Sequence, residues 1–84
     1  ESMLKAGVKL GLTEDQAKQL TNQTILGAAK MLSESGFDAQ TLRANVTSPN
    51  GTTAAALKIF QDSGFEKLVE EAMRAAKHRA SELA

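Results

Sequence analysis

Residues 13–36 read TEDQAKQLTNQTILGAAKMLSESG, and the fold class follows from them. Thr13 and Gln16 form a capping box, in which the Thr13 hydroxyl takes the Gln16 amide and the Gln16 side chain returns to the amide of Thr13. A helix therefore starts at Glu14. From there to about Ser35, the residues Ala17, Leu20, Thr24, Gly27, Ala28, Met31 and Leu32 recur at spacings of three and four. This spacing predicts one buried face on a long helix, stopped by Gly36. Glycine inside a helix costs about 1 kcal/mol relative to alanine, so the run Gly27-Ala28-Ala29 predicts close approach of another helix there.

On both sides of this segment the same chemistry repeats. Upstream, Met3, Leu4, Ala6, Val8 and Leu10 are compatible with the end of a helix, and Gly11 is its C′ stop. Downstream, Asp38 is placed to cap a short helix from Ala39 to about Val46, with Leu42 and Val46 on one face. Thr53–Ser63 then reads as a helix with Ala56, Leu57 and Phe60 inward and Gly64 at C′. A last helix begins at Phe65, with Phe65, Leu68, Val69, Ala72, Ala76, Ala80 and Leu83 as its apolar stripe. Its acids Glu66, Glu70 and Glu71 lie early and its bases Arg74, Lys77, His78 and Arg79 late, which suits the helix dipole; Glu70 and Arg74 form an i,i+4 pair. No β-branched residues alternate with polar ones over four or more positions. The expectation is an all-α chain of about five helices forming a single domain over residues 1–84.

Composition narrows the function. A chain of 84 residues with 42% hydrophobic content buries only about 60 to 65% of its unfolded surface, which is a marginal core. It has no cysteine, so neither a disulfide framework nor a thiolate metal site supplements that core, and stability must come from helix packing or a partner chain. Ten basic residues balance ten acidic ones, so no net field draws the protein to nucleic acid or anionic lipid. No apolar run approaches the roughly 18 residues of a membrane span, and Glu1–Gly11 lacks a signal-peptide pattern. A cytoplasmic protein without nucleic-acid or membrane partners is expected. The chain opens without methionine and inside a helical pattern, as a piece of a longer protein would.

The long interruption in the helical pattern is Val46-Thr47-Ser48-Pro49-Asn50-Gly51-Thr52-Thr53. Pro49 presets its own φ, and Asn50 and Gly51 most easily adopt the left-handed backbone of a tight turn. The amides of Thr52 and Thr53 fall among the first unpaired donors of the following helix, at the positive end of its dipole. Ser48 and Thr53 add hydroxyls. Such a site suits a small anion, and with no Lys, Arg or His in the stretch a single carboxylate fits better than a highly charged phosphate. The same residues also suit an ordinary interhelical loop. The GxxxxGK[ST] phosphate loop is absent.

Other chemical candidates reduce to structure. His78 sits on a charged helix face, where only Arg74 and Glu82 lie one turn away, so it reads as solvated rather than catalytic or metal-binding. Glu14 and Asp15 are first-turn dipole partners, and Met3, Met31 and Met73 fill core or interface. The triplets beginning at Asn22, Asn45 and Asn50 match a glycosylation pattern incidentally. A DNA-reading helix-turn-helix lacks its basic recognition face.

The runs Gln23–Leu32 and Leu42–Thr53, followed by Ala56-Leu57 and Gly64-Phe65, resemble the C-terminal domain of the Δ1-pyrroline-5-carboxylate reductase family over essentially all 84 residues. The family signature is a Val-Ser/Thr-Ser-Pro-Gly-Gly-x-Thr turn entering a helix. The resemblance implies a reductase that transfers hydride from NADPH or NADH to the C=N bond of pyrroline-5-carboxylate, giving proline. It implies a homodimer of interlocked helical domains, or an oligomer of such dimers, with a separate Rossmann domain carrying the cofactor. By position, Ser48, Gly51, Thr52 and Thr53 would bind the substrate carboxylate, and the Thr53 hydroxyl would face the ring nitrogen as the catalytic contact. The chain departs from the signature at Asn50, where the family more often has glycine. No Gly-x-Gly-x-x-Gly follows a strand, so cofactor binding and turnover are not expected of these 84 residues alone. The alternative expectation is an all-helical dimerisation module without a ligand.

Overall fold

The computed structural model describes all of residues 1–84 as five helices without a strand: α1 (Ser2–Lys9), α2 (Glu14–Glu34), α3 (Ala39–Asn45), α4 (Thr52–Asp62) and α5 (Phe65–Leu83). The expected number and order of helices hold, with α3 ending one residue earlier and α4 starting one residue earlier than their patterns suggested. By internal contacts the chain divides into two units, Glu1–Arg43 and Ala44–Ala84.

In the first unit, α1 ends in a Schellman motif. The Leu12 amide donates to the Gly7 carbonyl at 3.0 Å and the Gly11 amide to the Val8 carbonyl at 3.1 Å, with Gly11 at φ 111°. Two residues later the capping box is complete: the Gln16 amide donates to Thr13 Oγ1 at 3.2 Å and the Thr13 amide to Gln16 Oε1 at 3.0 Å. This tight reversal lays α1 against the start of α2. A Cβ added to Gly7 would stand 3.3 Å from both the Ala17 Cβ and the Leu12 Cδ1. Ala17, 1% exposed, is the buried apolar residue of the chain.

The close helix approach is thus made at Gly7 and Ala17, and not within this chain at Gly27, where an added Cβ would meet nothing within 4 Å. Length explains the difference. An eight-residue helix spans about 12 Å, whereas the 21 residues of α2 span about 31 Å, so α1 covers only the first turns. The remainder of the expected stripe stays open, with Leu20 55% and Leu32 53% exposed. Further along, the Thr41 amide donates to Asp38 Oδ1 at 2.8 Å, the N-terminal cap expected for α3.

In the second unit, α4 and α5 are joined by the Ser63-Gly64 turn, and the rings of Phe60 and Phe65 meet at 4.9 Å between centroids and 49° between planes. Such a pair contributes about 0.5 to 1.5 kcal/mol beyond its buried area. The inward face expected of α4 is only partly covered: Leu57 is half-buried, whereas Ala56 and Phe60 are exposed and Thr53 and Ala54 are half-buried instead. The α5 stripe is open throughout, with Leu68 63% and Leu83 70% exposed. Its polar face carries one-turn ion pairs, among them Arg74 to Glu70 at 2.6 Å and Arg79 to Glu82 at 3.7 Å. Exposed pairs of this kind add about 0.3 to 0.5 kcal/mol each and cannot substitute for a core.

The chain leaves 7459 Å² accessible to solvent. A compact monomer of 8.9 kDa exposes about 4,800 Å², so the observed area is roughly half as much again.

Candidate functional site

The interruption between α3 and α4 is a defined turn. The Thr47 amide closes the end of α3 on the Ala44 carbonyl at 3.2 Å, and the Gly51 amide donates to the Ser48 carbonyl at 3.0 Å. Pro49 and Asn50 are the central residues. Asn50, at φ 61°, is the one non-glycine residue of the chain with positive φ. Proline followed by a left-handed residue is the signature of a type II turn, in which asparagine is among the few non-glycine residues that fit.

Gly51 serves a purpose other than the one its sequence suggests. Its backbone is extended, φ −83° and ψ −179°, so it supplies no left-handed residue and is instead the N-cap of α4. Space is what excludes a side chain: an added Cβ would lie 2.6 Å from Ser48 Oγ and 3.1 Å from the Ser48 carbonyl oxygen. The Ser48 hydroxyl therefore lies against the N-cap of α4.

Having no side chain, Gly51 makes no cap hydrogen bond. The first helical bond in this turn runs from the Ala55 amide to the Gly51 carbonyl at 3.1 Å, leaving the amides of Thr52, Thr53 and Ala54 without a partner inside the chain. Ser48, Asn50 and Thr52 are exposed, while Gly51 and Thr53 are half-buried. From Ala39 to Gln61 there is no acidic residue to compete for these donors. One hydroxyl and a helix N-terminus thus converge at Ser48–Thr53, and the Thr53 hydroxyl sits in the same first turn. Free amides at a helix start beside hydroxyl groups are donors of the kind that suit a small anion.

Asp38 caps the preceding helix. The Thr41 amide, with the Thr41 hydroxyl adding to it, holds the Asp38 carboxyl below its ordinary value. That cap starts α3, the helix that delivers Val46 and Thr47 to the turn. A second concavity, about 550 Å³, runs along α2 between Gln19, Leu20, Asn22, Gln23 and Leu26. All its walls belong to one helix and no charged group converges on it, so it is the flank of an apolar face rather than a ligand site.

The profile of the family described as pyrroline-5-carboxylate reductase dimerisation matches residues 1–83. The chain belongs to this family. It is 55% identical to the pyrroline-5-carboxylate reductase of Pseudomonas aeruginosa over 84 residues, all of this chain and 31% of that protein. It is 46% identical to the corresponding reductase of Haemophilus influenzae, over 99% of this chain and 31% of that protein. Among solved structures, the pyrroline carboxylate reductase of Plasmodium falciparum with NADP bound superposes with a TM-score of 0.89 at 37% identity, covering 93% of this chain and 32% of that one. The chain thus spans about a third of the length of the reductases it matches.

Within this reductase dimerisation fold, the residues singled out from sequence, Ser48, Gly51, Thr52 and Thr53, do fall together at one helix start. Sequence reasoning did not find the Gly7–Ala17 crossing that positions α2. Its signal was present, since Gly7 lies inside the α1 pattern and, like Gly27, has no local reason to be glycine.

Proposed function

We propose that this chain is the dimerisation and substrate-binding domain of a pyrroline-5-carboxylate reductase, which reduces the C=N bond of 1-pyrroline-5-carboxylate with NADPH or NADH to form L-proline. The Ser48–Thr53 turn, with its free first-turn amides, carries this reading. The Ser48 hydroxyl and the amides of Thr52 and Thr53 hold the substrate carboxylate. The Thr53 hydroxyl meets the ring nitrogen. Orienting that nitrogen and assisting its protonation favours the reaction, because hydride adds more readily to an iminium than to a neutral imine.

These residues do not build a nicotinamide site. They contain no strand and hence no glycine-rich strand-to-helix turn, so the reductant is held by a dinucleotide-binding domain outside them. Homodimerisation completes the fold, because interlocking a second copy covers the open stripes of α2 and α5. An obligate interface of about 2,000 Å² or more matches the excess exposed area. No helix is long and apolar enough to cross a membrane, in keeping with a reductase of the cytoplasm.

Steady-state kinetics of the full-length enzyme test the assignment. Ser48→Ala is expected to raise KM for pyrroline-5-carboxylate about tenfold, as for loss of one hydrogen bond to a charged group. Thr53→Ala is expected to lower kcat, with the dimer intact in both variants. Wild-type constants for both would remove the turn from the reaction and leave a dimerisation module without a ligand.

A further inference from the structure

We propose that Asn50 is a site of spontaneous deamidation, which turns a neutral clamp into an anionic one as the protein ages. The modification follows from the local chemistry; its effect on substrate rests on the function proposed above. Asn50 is exposed and followed by Gly51, which carries no side chain of its own beside the attacking nitrogen. The other two asparagines lack this arrangement: Asn22 precedes Gln23 within α2, and Asn45 precedes the β-branched Val46 at the end of α3.

The step balances without any oxidant or reductant. The Gly51 nitrogen loses its proton to hydroxide and bonds to Cγ of Asn50. The side-chain nitrogen takes a proton from water, its bond to Cγ breaks, ammonia leaves with hydroxide regenerated, and a five-membered succinimide remains. Water opens that ring at either carbonyl, giving aspartate or isoaspartate at position 50.

The fold restrains this reaction without preventing it. The Gly51 amide donates to the Ser48 carbonyl at 3.0 Å, so the turn must open before the nitrogen attacks, and conversion runs more slowly than in the denatured chain. Once formed, a carboxylate at position 50 stands in a stretch that otherwise has no acid from Ala39 to Gln61, beside the amides of Thr52 and Thr53. It competes for those donors and repels a second carboxylate. The isoaspartate form also lengthens the backbone by one methylene between Ser48 and the helix start.

The experiment ages the full-length enzyme for days in mildly alkaline buffer and follows each asparagine by peptide mass mapping with isoaspartate detection, together with KM for pyrroline-5-carboxylate. Expected are the mass gain of amide-to-acid conversion at Asn50 and a KM at least about tenfold higher in the converted fraction. Asn22 and Asn45 stay unchanged, and Asn50→Gly, which fits the positive φ, gains no mass. No conversion at Asn50 beyond that at Asn22 and Asn45 overturns the proposal. Conversion with an unchanged KM would uphold the modification and overturn instead the assignment of this turn to the substrate carboxylate.

Discussion

At position 51 a single methyl group separates two structures. Alanine there would place its Cβ 2.6 Å from Ser48 Oγ and 3.1 Å from a backbone oxygen of the same residue. The hydroxyl can rotate away but the carbonyl can move only with the turn. Gly51→Ala is expected to destabilise the protein by about 1 to 3 kcal/mol, as overpacking does, and to displace the Ser48 hydroxyl; a thermal melt beside the KM measurement checks both. The chemistry of this turn was legible in the sequence because Pro49, Asn50 and Gly51 act locally. Which residue would take the positive φ was not, since asparagine and glycine both tolerate it. The type II turn over Ser48–Gly51 puts the positive φ at its third residue, Asn50, and leaves Gly51 as the extended N-cap.

Helix ends were equally readable, for the same reason. The Thr13–Gln16 box, the Asp38 cap and the stops at Gly11, Gly36 and Gly64 each depend on a few adjacent residues, and each appears where its pattern placed it. Thr13→Ala is expected to cost about 0.5 to 2 kcal/mol in chemical denaturation. Which faces are covered was not readable, because periodicity shows that a face seeks a partner without naming it. Ala17 is the test of the one crossing present: Ala17→Leu forces α1 off α2 at Gly7 and is expected to cost about 1 to 3 kcal/mol by the same assay. The α3 cap has a pH signature. Asp38 is held below its ordinary 3.8 by the Thr41 amide first and the Thr41 hydroxyl second, so its contribution is fully present above 3.8 and lost as pH falls through the lower folded value. The Thr41 amide resonance is expected to titrate with a midpoint below 3.8, and a midpoint at or above that value would mean the cap is open in solution.

On the scale of the whole molecule, 42% of the residues are hydrophobic yet Ala17 is the one apolar residue that becomes buried. At about 25 cal/mol per Å² of apolar surface, leaving faces such as those of α2 and α5 in water forfeits the main driving force for folding. In the homodimer proposed above, a second copy would restore it, with the small residues Gly27, Ala28 and Ala29 as a place for close approach. On that proposal the turn at Ser48–Thr53 is displayed by a core that belongs to two chains. Sedimentation equilibrium at tens of micromolar tests this directly. A species of twice 8.9 kDa that retains the helical circular dichroism signal is expected. A helical species sedimenting at 8.9 kDa would contradict it, because the open stripes would then be stable in water without a partner.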